Sequence, residues 1–271
     1  MLESISKLFV VILFVLASLS SVGQVSAQTV TLCIIDQKAE PFYMTAAGET
    51  AASGMKGVTF DLFDQIGAQL NIKFKFERLS WKRCVQGLKK GEVDAIPNVV
   101  FRESRMEWAQ FPLSEQGQID STQRISKTSY RLYYHKKNPI NWNGEQSLPL
   151  DKPIGAILAF DIVLDLKEQG LEVVESADIV YLLTLLQGQR ISALASHASL
   201  VDPVIRDGSP QYDMLIKHEI PLKWVDAHLA FSHYYYWEHA EMAEAIWRLI
   251  REMRESGETK KLIEKYQATL E

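Results

Sequence analysis

Apolar positions along the chain change period several times, and each change marks an element. Val30 to Ile35 is a compact apolar run and predicts a strand. Phe60, Phe63, Ile66 and Leu70 recur at steps of three and four, predicting an amphipathic helix. Ile72, Phe74 and Phe76 alternate with lysine and glutamate, as in a half-buried strand. Cys84, Val85 and Leu88 return to helical spacing, and Gly91 is placed to end that helix in a left-handed residue. Val93 to Val100 is short and mostly apolar, the pattern of a strand covered on both faces. Strand, helix, strand, helix, strand implies a parallel sheet with helices on its faces, hence an α/β fold.

Ser114 to Thr128 is polar and follows neither period. Beyond it, strands are predicted at Tyr130 to His135, Pro153 to Leu158, Glu172 to Val174 and Ser192 to Ser196. Helices fit about Asp161 to Gln169 and Ile179 to Leu186, and a loop rich in Pro, Asn and Gly fits Asn138 to Lys152. The C-terminal part is helical. Met242, Ile246, Leu249, Ile250 and Met253 share a face, Gly257 breaks it, and Leu262 to Tyr266 resumes.

Composition narrows the function. The chain has 271 residues, a net charge of -5 and 47% hydrophobic residues, enough apolar material for one large domain or two lobes. Mild acidity without a basic block argues against nucleic acid or an anionic membrane surface as partner. Tyr234 to Trp237 is aromatic but lacks interleaved basic residues, so it reads as a surface-to-core transition. Met1 to Ala27 has a lysine, a short apolar run from Leu8 to Leu19 and a Val-Ser-Ala end, which predicts a cleaved secretory signal and export to the periplasm. The two cysteines, Cys33 and Cys84, then meet an oxidising compartment, where a disulfide is expected; two buried thiols are the alternative. No metal-binding histidine spacing, phosphate-cradling glycine loop or nucleophile elbow is present, so no cofactor and no metal are expected. Arg102 and Arg105 follow Val93 to Val100 where such a strand opens at its carboxyl edge, which suggests a cleft for something small and at least partly anionic.

The stretch from Trp81 to Pro112 also carries a resemblance. Trp81, Leu88, Gly91-Glu92-Val93-Asp94, Arg105, Phe111 and Pro112 stand in the order found in bacterial periplasmic solute-binding proteins of family 3, the amino-acid type. Pro41-Phe42, Gly57 with Asp61-Leu62, and the Ser-Gly between the last two helices are similar too. The resemblance implies a two-lobe fold, each lobe a mainly parallel sheet flanked by helices, joined by two hinge crossings. Lobe 1 would hold residues 28–118 and 222–271, and lobe 2 residues 119–221. The chain would cross near Gln116 to Ile119 and return over His218 to Trp224.

The same resemblance implies a ligand set. Arg105 would hold a solute carboxylate, since a guanidinium grips both oxygens at once; Arg102 is the second candidate. Asp36 and Phe42 would line the first loop, and Trp81 would cover the ligand. In lobe 2 the chain departs from the pattern. Ala159-Phe160-Asp161 replaces the usual Gly-Thr, and an aspartate there is expected to cap the helix or to repel a carboxylate. His197 replaces the aspartate that takes the ammonium group of an amino acid, as a neutral hydrogen-bonding partner or as a helix-capping residue outside the cleft. The implied function is capture of a small polar, carboxylate-bearing solute by hinge closure, by a monomer serving an ABC transporter permease or a membrane sensor. An enzyme similar to arogenate or prephenate dehydratases, using Asp36, Glu40 or Asp161 as acid or base, is the alternative.

Overall fold

The computed structural model describes residues 28–45, 54–145, 148 and 150–270. The predicted signal segment, 1–27, lies outside them, as does part of the polar loop before Gly57. Strand β1 (Thr29–Ile35) pairs in parallel with β2 (Lys73–Leu79) along its whole length and with β3 (Ala95–Val100) at Leu32 and Ala95. Helices α1 (Val58–Leu70) and α2 (Trp81–Lys90) make the crossovers. Alternation along β1 explains their placement. Val30 and Leu32 pack with Phe63 and Ile66 of α1, whereas Cys33 joins Cys84 and Leu88 of α2 in a separate cluster. Gly91 ends α2 at φ 69°, its N–H donating to the carbonyls of Gly87 and Leu88. Cys33 and Cys84 are joined by a disulfide, their Cα atoms 5.5 Å apart.

The second set comprises β4 (Ser126–His135), β5 (Ile154–Ile157), α3 (Asp161–Glu168), β6 (Val173–Ser176), α4 (Ile179–Gln187), β7 (Ala193–His197), α5 (Ala198–Asp207), β8 (Leu215–Lys217) and β9 (Lys223–Phe231). The chain closes with α6 (His233–Glu255) and α7 (Glu258–Gln267). Strand order is β2-β1-β3-β9-β4-β7-β5-β6, with β8 beside β4. The sheet is mixed rather than mainly parallel. β5 runs parallel to β6 and β7, but β9 is antiparallel to β3, and β4 is antiparallel to β7, β8 and β9.

Four elements depart from the expected pattern, the three-residue β8, which was not predicted, among them. β9 overlaps the predicted return crossing only at Lys223 and Trp224; beyond it Val225, Ala227 and Leu229 alternate with Asp226 and His228, a period-two signal to which no element was assigned. β4 begins at Ser126, inside a stretch read as aperiodic, because pairing with β9 supplies what its polar start lacks. α5 was not predicted. Pro203 interrupts the helical spacing of Leu200, Val201 and Val204, and burial of the first two against the sheet overrides it.

Candidate ligand-binding site

The carboxyl ends of β1 and β3 and the starts of α3 and α5 surround a cavity of about 100 Å³. By the same measure one water needs roughly 10–15 Å³, so the space fits a small solute rather than a peptide. Phe42, Tyr43, Trp81, Tyr130 and Phe160 make its aromatic walls. Arg105, Asp161, His197, Asn98, Ser126, Thr128 and Ser199 supply its polar groups. Trp81 and Phe160 meet edge to face, ring centres 6.3 Å apart, and both also line two outer hollows of about 470 and 400 Å³. The two rings thus border all three spaces, and Arg105 and Asp161 border both the cavity and the larger hollow.

Arg105 sits in a short 3-10 turn, Glu103–Glu107, directly after β3. It is only 8% exposed, not paired on the surface with Glu103 or Glu107. One guanidinium nitrogen donates to the Val100 carbonyl at 2.7 Å and another to the Ala159 carbonyl at 3.5 Å. Its carbon lies 5.4 Å from the Trp81 ring centre. Among the described residues no carboxylate forms an ion pair with it, and burial pulls its pKa below the ordinary value. A buried cation held by two carbonyls and a ring face is preorganised for an anion.

Arg102 is committed elsewhere. It donates to the backbone oxygen of Asp161 at 2.8 Å and pairs with Asp165, and it lines an outer hollow rather than the inner cavity. Asp36 also lines an outer hollow. Phe42, Trp81, Phe160, Asp161 and His197 all reach the inner cavity with Arg105.

Asp161 does not cap α3; Phe160 holds the N-cap position and Asp161 the first helical turn. Its Oδ1 accepts the Tyr130 hydroxyl at 2.5 Å. Burial and then the adjacent Asp161 charge hold the Tyr130 phenol well above its ordinary pKa, so it remains a donor. His197 occupies the N-cap position of α5 without a side-chain capping bond, and its ring lies 4.0 Å from that of Tyr130. Its Nδ1 is 3.3 Å from the Ser129 carbonyl oxygen. Burial lowers its pKa to about 4, so the ring is neutral near pH 7. His197 is therefore both a cleft residue and a helix-start residue.

Asn98 and Tyr130 were not singled out from sequence. Asn98 interrupts the β3 ladder at φ 60°, where the register against β9 shifts, and its Nδ2 donates to the Tyr43 hydroxyl at 3.1 Å and Thr59 Oγ1 at 3.3 Å. Pro97-Asn98 inside an apolar strand is the signal that marks it. Ala159 likewise sits at φ 63°, in a region that glycine occupies more easily. Among the described residues no group of three potential metal ligands occurs, and no helix is long and apolar enough to cross a membrane.

Comparison with known proteins follows the same outline. The family model described as bacterial extracellular solute-binding proteins, family 3, matches residues 32–269. A histidine kinase sensor domain with similarity to periplasmic binding proteins superposes with a TM-score of 0.71 at 14% identity, over 89% of this chain and 96% of that one. The amino acid ABC transporter substrate-binding protein AbpA from Streptococcus pneumoniae, bound to L-arginine, gives 0.66 at 17% identity, over 90% and 96%. The GluR0 ligand-binding core with L-glutamate gives 0.67 at 14%, over 90% and 99%. At these identities the likeness is one of fold. Sequence comparison with curated proteins finds no match.

Proposed function

The chain belongs to the bacterial extracellular solute-binding proteins of family 3, and on that premise we propose that it captures a small amino-acid-like solute whose carboxylate is held by Arg105. The observation that carries this reading is the buried guanidinium lining the inner cavity without a carboxylate partner. The ligands bound in two structural neighbours, L-arginine and L-glutamate, are both α-amino acids, which agrees with it.

In this reading residues 28–118 with 222–271 form one lobe and 119–221 the other, and the solute is enclosed when they close. Strand β9 supports that division. It pairs with β3 through its second half and with β4 through its first, changing partner around Ala227. Trp81 from the first part and Phe160 from the second would then meet over the bound solute. A secretory signal removed after Ala27 would deliver the protein to the periplasm. There the closed form is read by an ABC importer or a membrane sensor, the two settings in which neighbours of this fold are found. No catalytic part falls to Asp36, Glu40 or Asp161, since the family is one of solute receptors.

Isothermal calorimetry with the twenty L-amino acids tests the anchor. Arg105→Ala is expected to weaken the best binder by about 100-fold or more, and Arg105→Lys by less, because lysine keeps the charge but not the two-point grip. Unchanged affinity in Arg105→Ala rejects the reading.

A further inference from the structure

With histidine at position 197, the amino end of such a solute lacks its expected counter-charge. We propose that Asp161, on a different element, supplies it, so that the cavity accepts solutes carrying one cationic N–H group, one carboxylate and no further charge. The carboxylate half of this statement rests on the role given to Arg105 above; the amino half stands on separate observations.

Asp161 is 2% exposed and lines the inner cavity. Only one of its oxygens is used. Oδ1 accepts the Tyr130 hydroxyl, while Oδ2 is buried with no hydrogen-bond partner. A carboxylate left half-satisfied inside a protein is costly, because each oxygen accepts about two hydrogen bonds in water. Asp161 and Arg105 face the same space and attract each other across it, but no hydrogen-bonded ion pair joins them.

Two further groups show the same surplus of acceptors. The Ser129 carbonyl only accepts, so the proton of the neutral His197 ring lies on Nδ1 and Nε2 keeps a lone pair. Tyr130 holds this ring and Asp161 together, its face on one and its hydroxyl on the other. Asn98, also on the cavity wall, spends both its donor contacts on Tyr43 and Thr59, while Oδ1 is buried and unpartnered. An ammonium group carries three N–H donors and no acceptor, which matches this inventory.

Charge sets the limit on what else enters. Arg105 is the one cation and Asp161 the one carboxylate among the residues lining the inner cavity. A second charge on a solute held wholly within this cavity would be desolvated without a partner, the further charged groups Lys82, Lys89, Lys167 and Glu175 lying on the adjoining hollow. L-Lysine, L-arginine, L-aspartate and L-glutamate are therefore disfavoured against amino acids with uncharged side chains.

The test is calorimetric titration of the protein with the twenty L-amino acids and with the 2-hydroxy acid matching each, which keeps the carboxylate and loses the ammonium. The unmodified protein is expected to bind an uncharged-side-chain amino acid about 100-fold more tightly than its hydroxy acid. Asp161→Asn preserves the shape and an acceptor for Tyr130; it is expected to erase that preference while hydroxy-acid binding persists. Equal affinity for the amino acid and its hydroxy acid, an unaltered preference in Asp161→Asn, tightest binding of a charged-side-chain amino acid, or no binding by any of them overturns the proposal. Arg105→Ala separates the two claims. If it spares amino-acid binding that Asp161→Asn destroys, the carboxylate anchor is wrong and the ammonium site stands.

Discussion

His197 in the cavity wall and His228 in β9 show how single buried residues make stability depend on pH. Burial pushes each imidazole down to about 4 from its ordinary 6.5, and nearby Asp161 and Asp226 offset that only in part. Between those values the unfolded chain binds more protons than the folded one. Stability is therefore full above 6.5, falls as pH drops through the interval, and levels off below 4. Melting temperatures recorded by calorimetry across this range should decline, and His228→Gln should flatten part of the decline; an identical profile in that variant would refute the assignment. Legibility at this scale was uneven. Position after a buried apolar strand pointed to Arg102 and Arg105 alike, and only the resemblance preferred Arg105. Asp161 could be located but not interpreted, since its partner Tyr130 is 31 residues away along the chain.

Among the elements, the disulfide that ties β1 to α2 has the clearest energetic consequence. It spans 51 residues, a loop whose closure in the unfolded chain is worth about 4 kcal/mol by the chain-entropy relation. Replacing both Cys33 and Cys84 with alanine should lower the unfolding free energy in urea by about that amount, and a loss below ~1 kcal/mol would show that the closed loop does little. The helices α1, α2, α3 and α4 were all predicted within a few residues of their ends, because each has one apolar face and a clear stop. α5 and β9 were missed for opposite reasons. Pro203 disguises a helix that tertiary packing enforces, and the alternation in β9 was visible but was assigned to no element.

Across the whole molecule, charged contacts join residues assigned to the two proposed lobes. Arg206 donates to both oxygens of the buried Glu40, at 2.7 and 2.9 Å, and Lys38 reaches Glu40 at 2.9 Å and Asp207 at 3.1 Å. Burial alone would raise the Glu40 pKa, but the hydrogen bonds from Arg206 and Lys38 outweigh it and hold the carboxyl below its ordinary value. Arg102 and Asp165 make a second bridge on the other side of Phe160. On the proposed two-lobe reading these pairs form only when the lobes are together, so Arg206→Ala should bias the protein toward an open form. The expected result is a larger radius of gyration in small-angle scattering and about tenfold weaker solute binding, the equivalent of ~1.4 kcal/mol; unchanged scattering and affinity would remove the bridge from the closing equilibrium. The sequence by itself determined most of the α/β elements and the cysteine pair, because periodicity and compartment act locally. Only the tertiary structure decided that Arg102 pairs with Asp165, that β9 joins the two halves of the sheet, and that Tyr130 leaves Asp161 one free oxygen. Those outcomes depend on which distant segments the packed sheet brings within hydrogen-bond reach, and no local pattern encodes that.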